Sequence, residues 1–214
     1  MGILDYFRRP PPIATFADIE DFLDSRTAFL VQKTVYEYCR ARSGVLWNKL
    51  FKEAAFIAAI DECRWRNFPI GLSYILQMVE GTLRAEAGDS AAALADGLLA
   101  AAKTVMSRYP VPAGFADDFW STSHAEVAEQ LMRAQLAAPK SVKDIPVATV
   151  QAFFDNLPIH ESLRVHDYSL IKNHLSSNLC RLYEEFVART DSAAITDIII
   201  DGPPSVAVPH VGRS

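Results

Sequence analysis

The apolar positions of this chain recur with the period of a helix. In the first long segment Val31, Val35 and Tyr38 are spaced by four and three residues, which places them on one helical face. No segment shows the sustained two-residue alternation of a half-buried strand, and TDIIID at 196–201 is the one run compatible with either a helix or a strand. The pattern predicts an all-α fold, a single irregular bundle of about seven or eight helices.

Capping and helix-breaking residues set the predicted limits of these helices. Thr15 with Asp18 predicts the start of the first helix, and Gly44 predicts its end. Pro69 predicts a break between the second and third helices, because proline has no N–H to donate inside a helix. Ser123 opens the capping-box sequence SHAE and predicts another start. The predicted helices cover about 15–43, 45–67, 70–87, 90–109, 149–156 and 168–189, with two more that contain 127–136 and 193–200.

Segments of different composition flank the predicted helical domain, which covers residues 13–200. Residues 1–12, MGILDYFRRPPP, combine a short amphipathic tip with a stiff spacer of consecutive prolines. Residues 201–214 are rich in Gly and Pro and are expected to form a disordered tail. The tip suits either a membrane interface or a groove on a protein. Its apolar residues are Ile3, Leu4, Tyr6 and Phe7.

Composition and charge narrow the functional classes. The net charge of −5 argues against nucleic-acid binding, which depends on Lys and Arg neutralising phosphates. Three cysteines, an odd number without a CxxC motif, favour a reducing cytoplasm over a disulfide framework. The start of the chain lacks the apolar core and cleavage site of a signal peptide, and no apolar run reaches the roughly 18 residues of a membrane span. We therefore predict a cytoplasmic protein that the tip could also hold at the inner membrane surface.

Three of the five histidines lie within the stretch 158–174. On one helix, His160 and His166 would lie about 120° apart, and His166 and His174 would be separated by roughly 12 Å of rise. Metal ligands converge to about 2 Å from one ion, which these spacings do not allow on a single helix. We therefore predict no metal site, and no phosphate-loop or haem motif indicates a cofactor. His160, beside Glu161, is the best of the three as a base or a hydrogen-bond donor.

The sequence GLSYI at 71–75 is the first half of a nucleophile elbow, G-x-S-x-G, with Ile75 in the place of the last glycine. An elbow also needs a preceding strand, whereas the residues before Gly71 have the pattern of a helix end and a turn. A structural role for Ser73 in the first turns of a helix is therefore favoured. Under a hydrolase interpretation the catalytic candidates are Ser73, with His160 or His166 as base and Glu161 or Asp167 as its orienting group.

Four stretches, RRPPP, YEYCRAR, ECRWR and PIHE, resemble a bacterial family that carries the label esterase. They are spread over most of the chain. The resemblance implies hydrolysis of small esters, but it brings no established mechanism with it. A small-ester hydrolase that uses the pair Ser73 and His160 is therefore one functional hypothesis.

The sequence Cys-Arg-x-Arg occurs twice, within YEYCRAR at 36–42 and DECRWR at 61–66, each time after an acidic residue. Surface ion pairing and the favourable position of cations near a helix C-terminus account for this pattern. The alternative is a site for an anion or a protein partner, with tryptophan as a flat interface anchor. The residues of that site would be Arg40, Arg42, Arg64, Trp65 and Arg66.

The leading functional prediction is a non-enzymatic adaptor or assembly factor that binds a protein partner or the inner membrane surface. It rests on the two arginine-rich segments, the amphipathic tip and the lack of a complete catalytic motif. Two alternatives stay open: the ester hydrolase, and a helical bundle that holds a small ligand among its aromatic residues. A homo-oligomer is compatible with all three.

Overall fold

Residues 10–203 are described by a computed structural model, in which helices account for most of the chain. The helices are α1 (Phe16–Ser43), α2 (Trp47–Leu50), α3 (Ala54–Ala87), α4 (Ala91–Ser107), α5 (Phe119–Gln135), α6 (Val150–Asp155), α7 (Glu161–Arg164), α8 (Tyr168–Arg189) and α9 (Ser192–Asp201). Because α2 and α7 are single turns, the predicted all-α bundle of about seven or eight helices is confirmed. The amphipathic tip and most of the expected tail lie outside the described residues.

Local capping forms the first helix as its sequence predicts. The Thr15 hydroxyl accepts a hydrogen bond from the Asp18 amide at 3.1 Å and donates to the Asp18 carboxylate at 2.7 Å. Gly44 follows the last residue with φ of +51°, a conformation that only glycine adopts without strain. The predicted limits of α1 are therefore confirmed.

The central element of the fold is α3, a helix of 34 residues that continues through Pro69. The prediction of two helices separated at this proline is wrong. Proline removes one helical hydrogen bond and costs about 3 kcal/mol or more. The cost is offset because the following residues, among them Leu72, Ile75 and Leu76, are fully buried. Helices α1, α4, α5, α8 and α9 all pack against α3.

Helix α5 also departs from its predicted start. It begins at Phe119, so Ser123 lies inside the helix and is buried, and the capping-box prediction is wrong. The rings of Phe119 and Trp120 pack 4.6 Å apart at this end of the helix. The Trp120 ring also lies 5.9 Å from Trp65 of α3, and this tertiary packing accounts for a start one turn before the local capping signal.

The segment TDIIID is helical and belongs to α9. The Asp191 carboxylate caps this helix by accepting a hydrogen bond from the Ala194 amide at 3.1 Å. Helix α9 packs very close to α4, since a Cβ atom added to Gly97 would lie 2.1 Å from the carbonyl oxygen of Ile199. The glycine in the alanine-rich helix α4 therefore permits backbone contact with the last helix.

The chain segments that precede α1 and follow α8 meet. The Ile13 amide donates to the Arg189 carbonyl at 2.8 Å, and Ile13 forms an isolated parallel bridge with Thr190. Arg189 in turn donates from Nε to the carbonyl of Pro11 at 2.8 Å. Within residues 10–203, no helix has the length and apolar character needed to cross a membrane.

Candidate functional site

Ser73 lies in the middle of α3 with 1% of its surface exposed. Its hydroxyl donates to Oε1 of Gln130 at 2.5 Å and accepts from Nε2 of Gln77 at 3.1 Å. No hydrogen bond in the described part of the chain joins Ser73 to a histidine, and α3 runs through this position without a strand-to-helix turn. The geometry gives Ser73 neither an activating base nor an elbow.

The candidate histidines make no hydrogen bond to Ser73 in the described residues. His160 is exposed, precedes the single turn α7 and contacts the Ser162 hydroxyl through Nδ1 at 2.8 Å. Its neighbour Glu161 is exposed, and so is His166. His174 is half-buried on α8, where burial lowers the pKa of its imidazole. Asp167, the other proposed orienting group, accepts hydrogen bonds from Arg42 and Tyr38.

Among residues 10–203 no group of three or more His, Cys, Asp or Glu side chains could hold a metal ion.

We expect Ser73→Ala to lower the free energy of unfolding by about 1–2 kcal/mol, because Gln77 and Gln130 lose their shared hydroxyl partner. The rate at which the purified chain hydrolyses p-nitrophenyl acetate should not change. Urea denaturation and a colorimetric assay on the same preparation measure the two quantities. A tenfold or greater fall in the hydrolysis rate with an intact fold would instead favour the hydrolase hypothesis.

The two Cys-Arg-x-Arg segments place their cysteines in the core and their arginines against separate groups. Cys39 and Cys63 are both buried, and burial raises the pKa of each thiol to about 12. None of the cavities described below is lined by arginines from both segments. The arginine side chains contact different groups: Arg40 stacks over Trp47, Arg42 pairs with Asp167, Arg64 with Asp61, and Arg66 with Glu62.

Trp65 belongs to a cluster of four aromatic rings from three elements. Its ring lies 5.2 Å from Tyr109 at the end of α4, 5.9 Å from Trp120 in α5 and 6.1 Å from Phe68 in its own helix. Tyr109 donates its hydroxyl to Asp24 of α1 at 2.5 Å, and burial raises its pKa to about 12. The cluster therefore fixes the orientation of Trp65 from three sides.

One face of Trp65 lines an open groove of about 580 Å³ between α3 and the loop 110–115, which we call the Trp65 groove. Its apolar walls include Trp65, Pro110, Val111, Pro112 and Phe115, and Ala58 lies at its α3 side. Asp61 and Glu62 also line it, and the guanidinium of Arg66 lies 5.1 Å from the centre of the Phe115 ring.

Trp65 also lines a smaller hollow of about 60 Å³, together with Gln32, Arg64 and Tyr109. The Nε atom of Arg64 is buried there and has no hydrogen-bond partner among the described residues. Ala28, Val31 and Phe68 complete the lining of this hollow, so Trp65 lines both a surface groove and a small, mostly apolar pocket. Trp65 and Arg64 are the predicted binding residues that the structure places at one concave surface.

Sequence reasoning missed a polar stripe along α3. Ser73, Gln77, Glu80 and Arg84 follow one another at intervals of four, three and four within an otherwise apolar segment. Glu80 is 1% exposed and accepts two hydrogen bonds from Arg84, each of 2.7 Å. Polar residues at helical spacing inside an apolar run are a signal that could have located this face.

Comparison of the chain with protein-family models, with curated proteins and with solved structures finds no match. Its function is therefore inferred from the residues and the surfaces that they form.

Proposed function

We propose that this chain is a non-enzymatic helical adaptor that binds an extended segment of a protein partner in the Trp65 groove. The observation that supports it is a groove of about 580 Å³ with aromatic and proline walls that are open to solvent. Tryptophan and other aromatic side chains supply much of the binding energy at protein interfaces. The aromatic cluster behind Trp65 holds the indole in place, so little side-chain entropy is lost when a partner binds.

The charges around the groove indicate the chemistry of the partner. Asp61 and Glu62 line it, and Asp117 and Asp118 follow Phe115 on an exposed loop. Arg64 and Arg66 are already paired with the first two carboxylates. Carboxylates therefore outnumber arginines at this surface, which suits a partner segment with apolar side chains flanked by Lys or Arg.

The loop side of the groove favours recognition through side chains. Pro110 and Pro112 have no N–H group, so this wall offers few backbone donors to a bound strand. Pairing of the partner as an added β-strand is therefore disfavoured, and insertion of its apolar side chains beside Trp65 is favoured.

We expect random peptides displayed on phage and selected against the full chain to converge on an apolar residue flanked by Lys or Arg. Ala58→Arg should weaken the binding of the selected peptides at least about tenfold, because the new side chain fills the groove and repels the Lys or Arg residues that flank the apolar residue of the peptide. Arginine is a good helix former, so the exposed position should tolerate it. Fluorescence polarisation of labelled peptides measures the change.

The matched control is Ala188→Arg, a substitution at an exposed helical alanine of α8 that lines none of the described cavities. It should leave peptide affinity unchanged. A selection without a common motif, or equal binding to the Ala58→Arg variant, would contradict the proposal. Saturable binding of a synthetic MGILDYFRRPPP peptide, with no other motif selected, would assign the groove to the chain's own tip instead of a partner.

A further inference from the structure

A second concave surface crosses the middle of α3, beneath the segment 137–149. Two hollows of about 590 Å³ and 240 Å³ meet there and share Gln77 and Lys140 as lining residues. The larger lies between α3, α8 and residues 140–145. We call this surface the Lys140 groove. Its volume is within the range of roughly 300–1,000 Å³ that is typical of small-molecule sites.

The groove carries cations that have no protein partner in the described residues. Lys140 and Lys143 both line the larger hollow, and neither lies within 4.0 Å of a carboxylate. Glu184 is the one acidic residue of that lining. Two lysines at one concave surface stand out in a chain whose net charge is −5, and two ammonium groups suit a doubly charged anion.

The floor of the groove presents a hydrogen-bond acceptor. Gln77 is half-buried among buried neighbours on α3, and its Nε2 donates to the Ser73 hydroxyl at 3.1 Å. Ser73 is itself fixed by its hydrogen bond to Gln130 at 2.5 Å. This chain of bonds leaves Oε1 of Gln77 to accept from a ligand hydroxyl. Hydroxyl groups of Thr82, Ser141 and Tyr183 line the same hollow.

We propose that the Lys140 groove binds a phosphorylated sugar or polyol. Its phosphate group would lie at Lys140 and Lys143, and its hydroxyl groups would face Gln77 and the hydroxyl side chains. In this arrangement Ser73 is a positioning residue that holds the Gln77 amide, which gives its buried hydrogen bonds a role unrelated to nucleophilic catalysis. The site is separate from the Trp65 groove and shares no lining residue with it.

Cys180 provides a reporter inside the groove. It is half-exposed and lines the larger hollow, whereas Cys39 and Cys63 are buried. Burial raises the pKa of those two thiols to about 12, so they react slowly with a disulfide reagent. The full chain should therefore show one fast-reacting thiol with dithiobis(nitrobenzoate), and occupation of the groove should protect it.

The experiment measures the reaction rate of Cys180 with increasing glucose 6-phosphate, ribose 5-phosphate, inorganic phosphate, glucose and ribose. We expect saturable protection of at least tenfold by a sugar phosphate, weaker protection by inorganic phosphate and none by the unphosphorylated sugars. Equal protection by glucose and glucose 6-phosphate, or none by either sugar phosphate at millimolar concentration, would overturn the proposal.

Substitutions locate the bound phosphate. Lys140→Ala and Lys143→Ala should each raise the concentration needed for half-protection at least tenfold, whereas Lys103→Ala, at an exposed position of α4, should not. Protection that persists unchanged in both groove variants would place the ligand elsewhere and defeat the assignment. Ala58→Arg should leave the protection intact, which separates this result from the fate of the Trp65 groove.

Discussion

Replacement of Asp167 by alanine is expected to lower the free energy of unfolding by about 2 kcal/mol. Asp167 directly precedes α8 and is 5% exposed. Its carboxylate accepts two hydrogen bonds from the Arg42 guanidinium and one from the Tyr38 hydroxyl at 2.7 Å, so it joins the end of α1 to the start of α8. Removing it leaves the buried Tyr38 hydroxyl without its acceptor and the guanidinium of Arg42, which is 39% exposed and therefore partly screened by water, without its ion pair. The loss of the buried hydrogen bond makes the cost larger than that of removing an exposed ion pair.

Guanidinium chloride denaturation of the two proteins measures this difference. The matched control is Glu62→Ala, which removes the carboxylate of an exposed pair with Arg66 and should cost about 0–1 kcal/mol. Tyr38→Phe should fall between the two, because it removes one of the three hydrogen bonds. Equal destabilisation by Asp167→Ala and Glu62→Ala would show that the buried connection contributes nothing beyond a surface pair.

The same carboxylate makes stability depend on pH. The Arg42 guanidinium is the main cause that holds the pKa of Asp167 below its ordinary value of 3.8. A group with a lowered pKa in the folded state contributes its stability fully above the unfolded pKa and loses it as pH falls through the folded pKa. The difference in stability between the native chain and Asp167→Asn should therefore be constant near neutral pH and shrink below about pH 3.8.

Gly97→Ala is expected to lower the free energy of unfolding by about 2–3 kcal/mol, although alanine at a helix interior normally stabilises by about 1 kcal/mol. The new Cβ atom would lie 2.1 Å from the Ile199 carbonyl oxygen and 2.9 Å from its Cγ2 atom. Because the carbonyl oxygen belongs to the backbone of α9, the whole helix must move away from α4. Urea denaturation measures the change in the free energy of unfolding. Faster amide hydrogen exchange confined to α9 would show that the packing of α9 on α4 is what the substitution weakens.

Gly81→Ala is the matched control for that substitution. It is also a glycine inside a helix, but its added Cβ would meet only Pro139 Cβ at 3.3 Å. That contact requires a shift of a few tenths of an ångström in a loop, so the change should be near neutral. A Gly97→Ala protein as stable as Gly81→Ala would mean that α9 can move away from α4 at no cost.

The features that the sequence predicted correctly are those governed by neighbours within one turn. Thr15 caps α1, and Gly44 ends it. Each depends on hydrogen bonds or backbone angles a few residues away, which sequence order makes visible. The sequence left TDIIID open between helix and strand, and the structure shows that it belongs to α9, which packs on α4.

The incorrect predictions share a cause in distant packing. Pro69 stays within a helix because its neighbours are enclosed by five other helices, and Ser123 lies inside α5 because Trp120 packs on Trp65. The side chain of Asp167 has the right position for a helix cap, yet it binds Arg42, 125 residues away along the chain. Local propensity cannot anticipate such partners.

The same distinction between local and distant contacts applies to the candidate sites. Trp65 and Arg64 were identified because an aromatic residue between arginines is conspicuous in the sequence. The opposite wall of the Trp65 groove comes from 110–115, and no local sequence pattern connects that loop with Trp65. Gln77 and Lys140 were missed because their association depends on the crossing of α3 by residues 137–149.

The pairing of Ile13 with Thr190 has a consequence for biosynthesis. About 177 residues separate the two partners, which at ~5–20 residues per second corresponds to roughly 10–35 s of translation. For the later part of that interval α1, α3 and α4 have been synthesised but α9 has not, so the face of α4 around Gly97 lacks the helix that covers it in the folded chain.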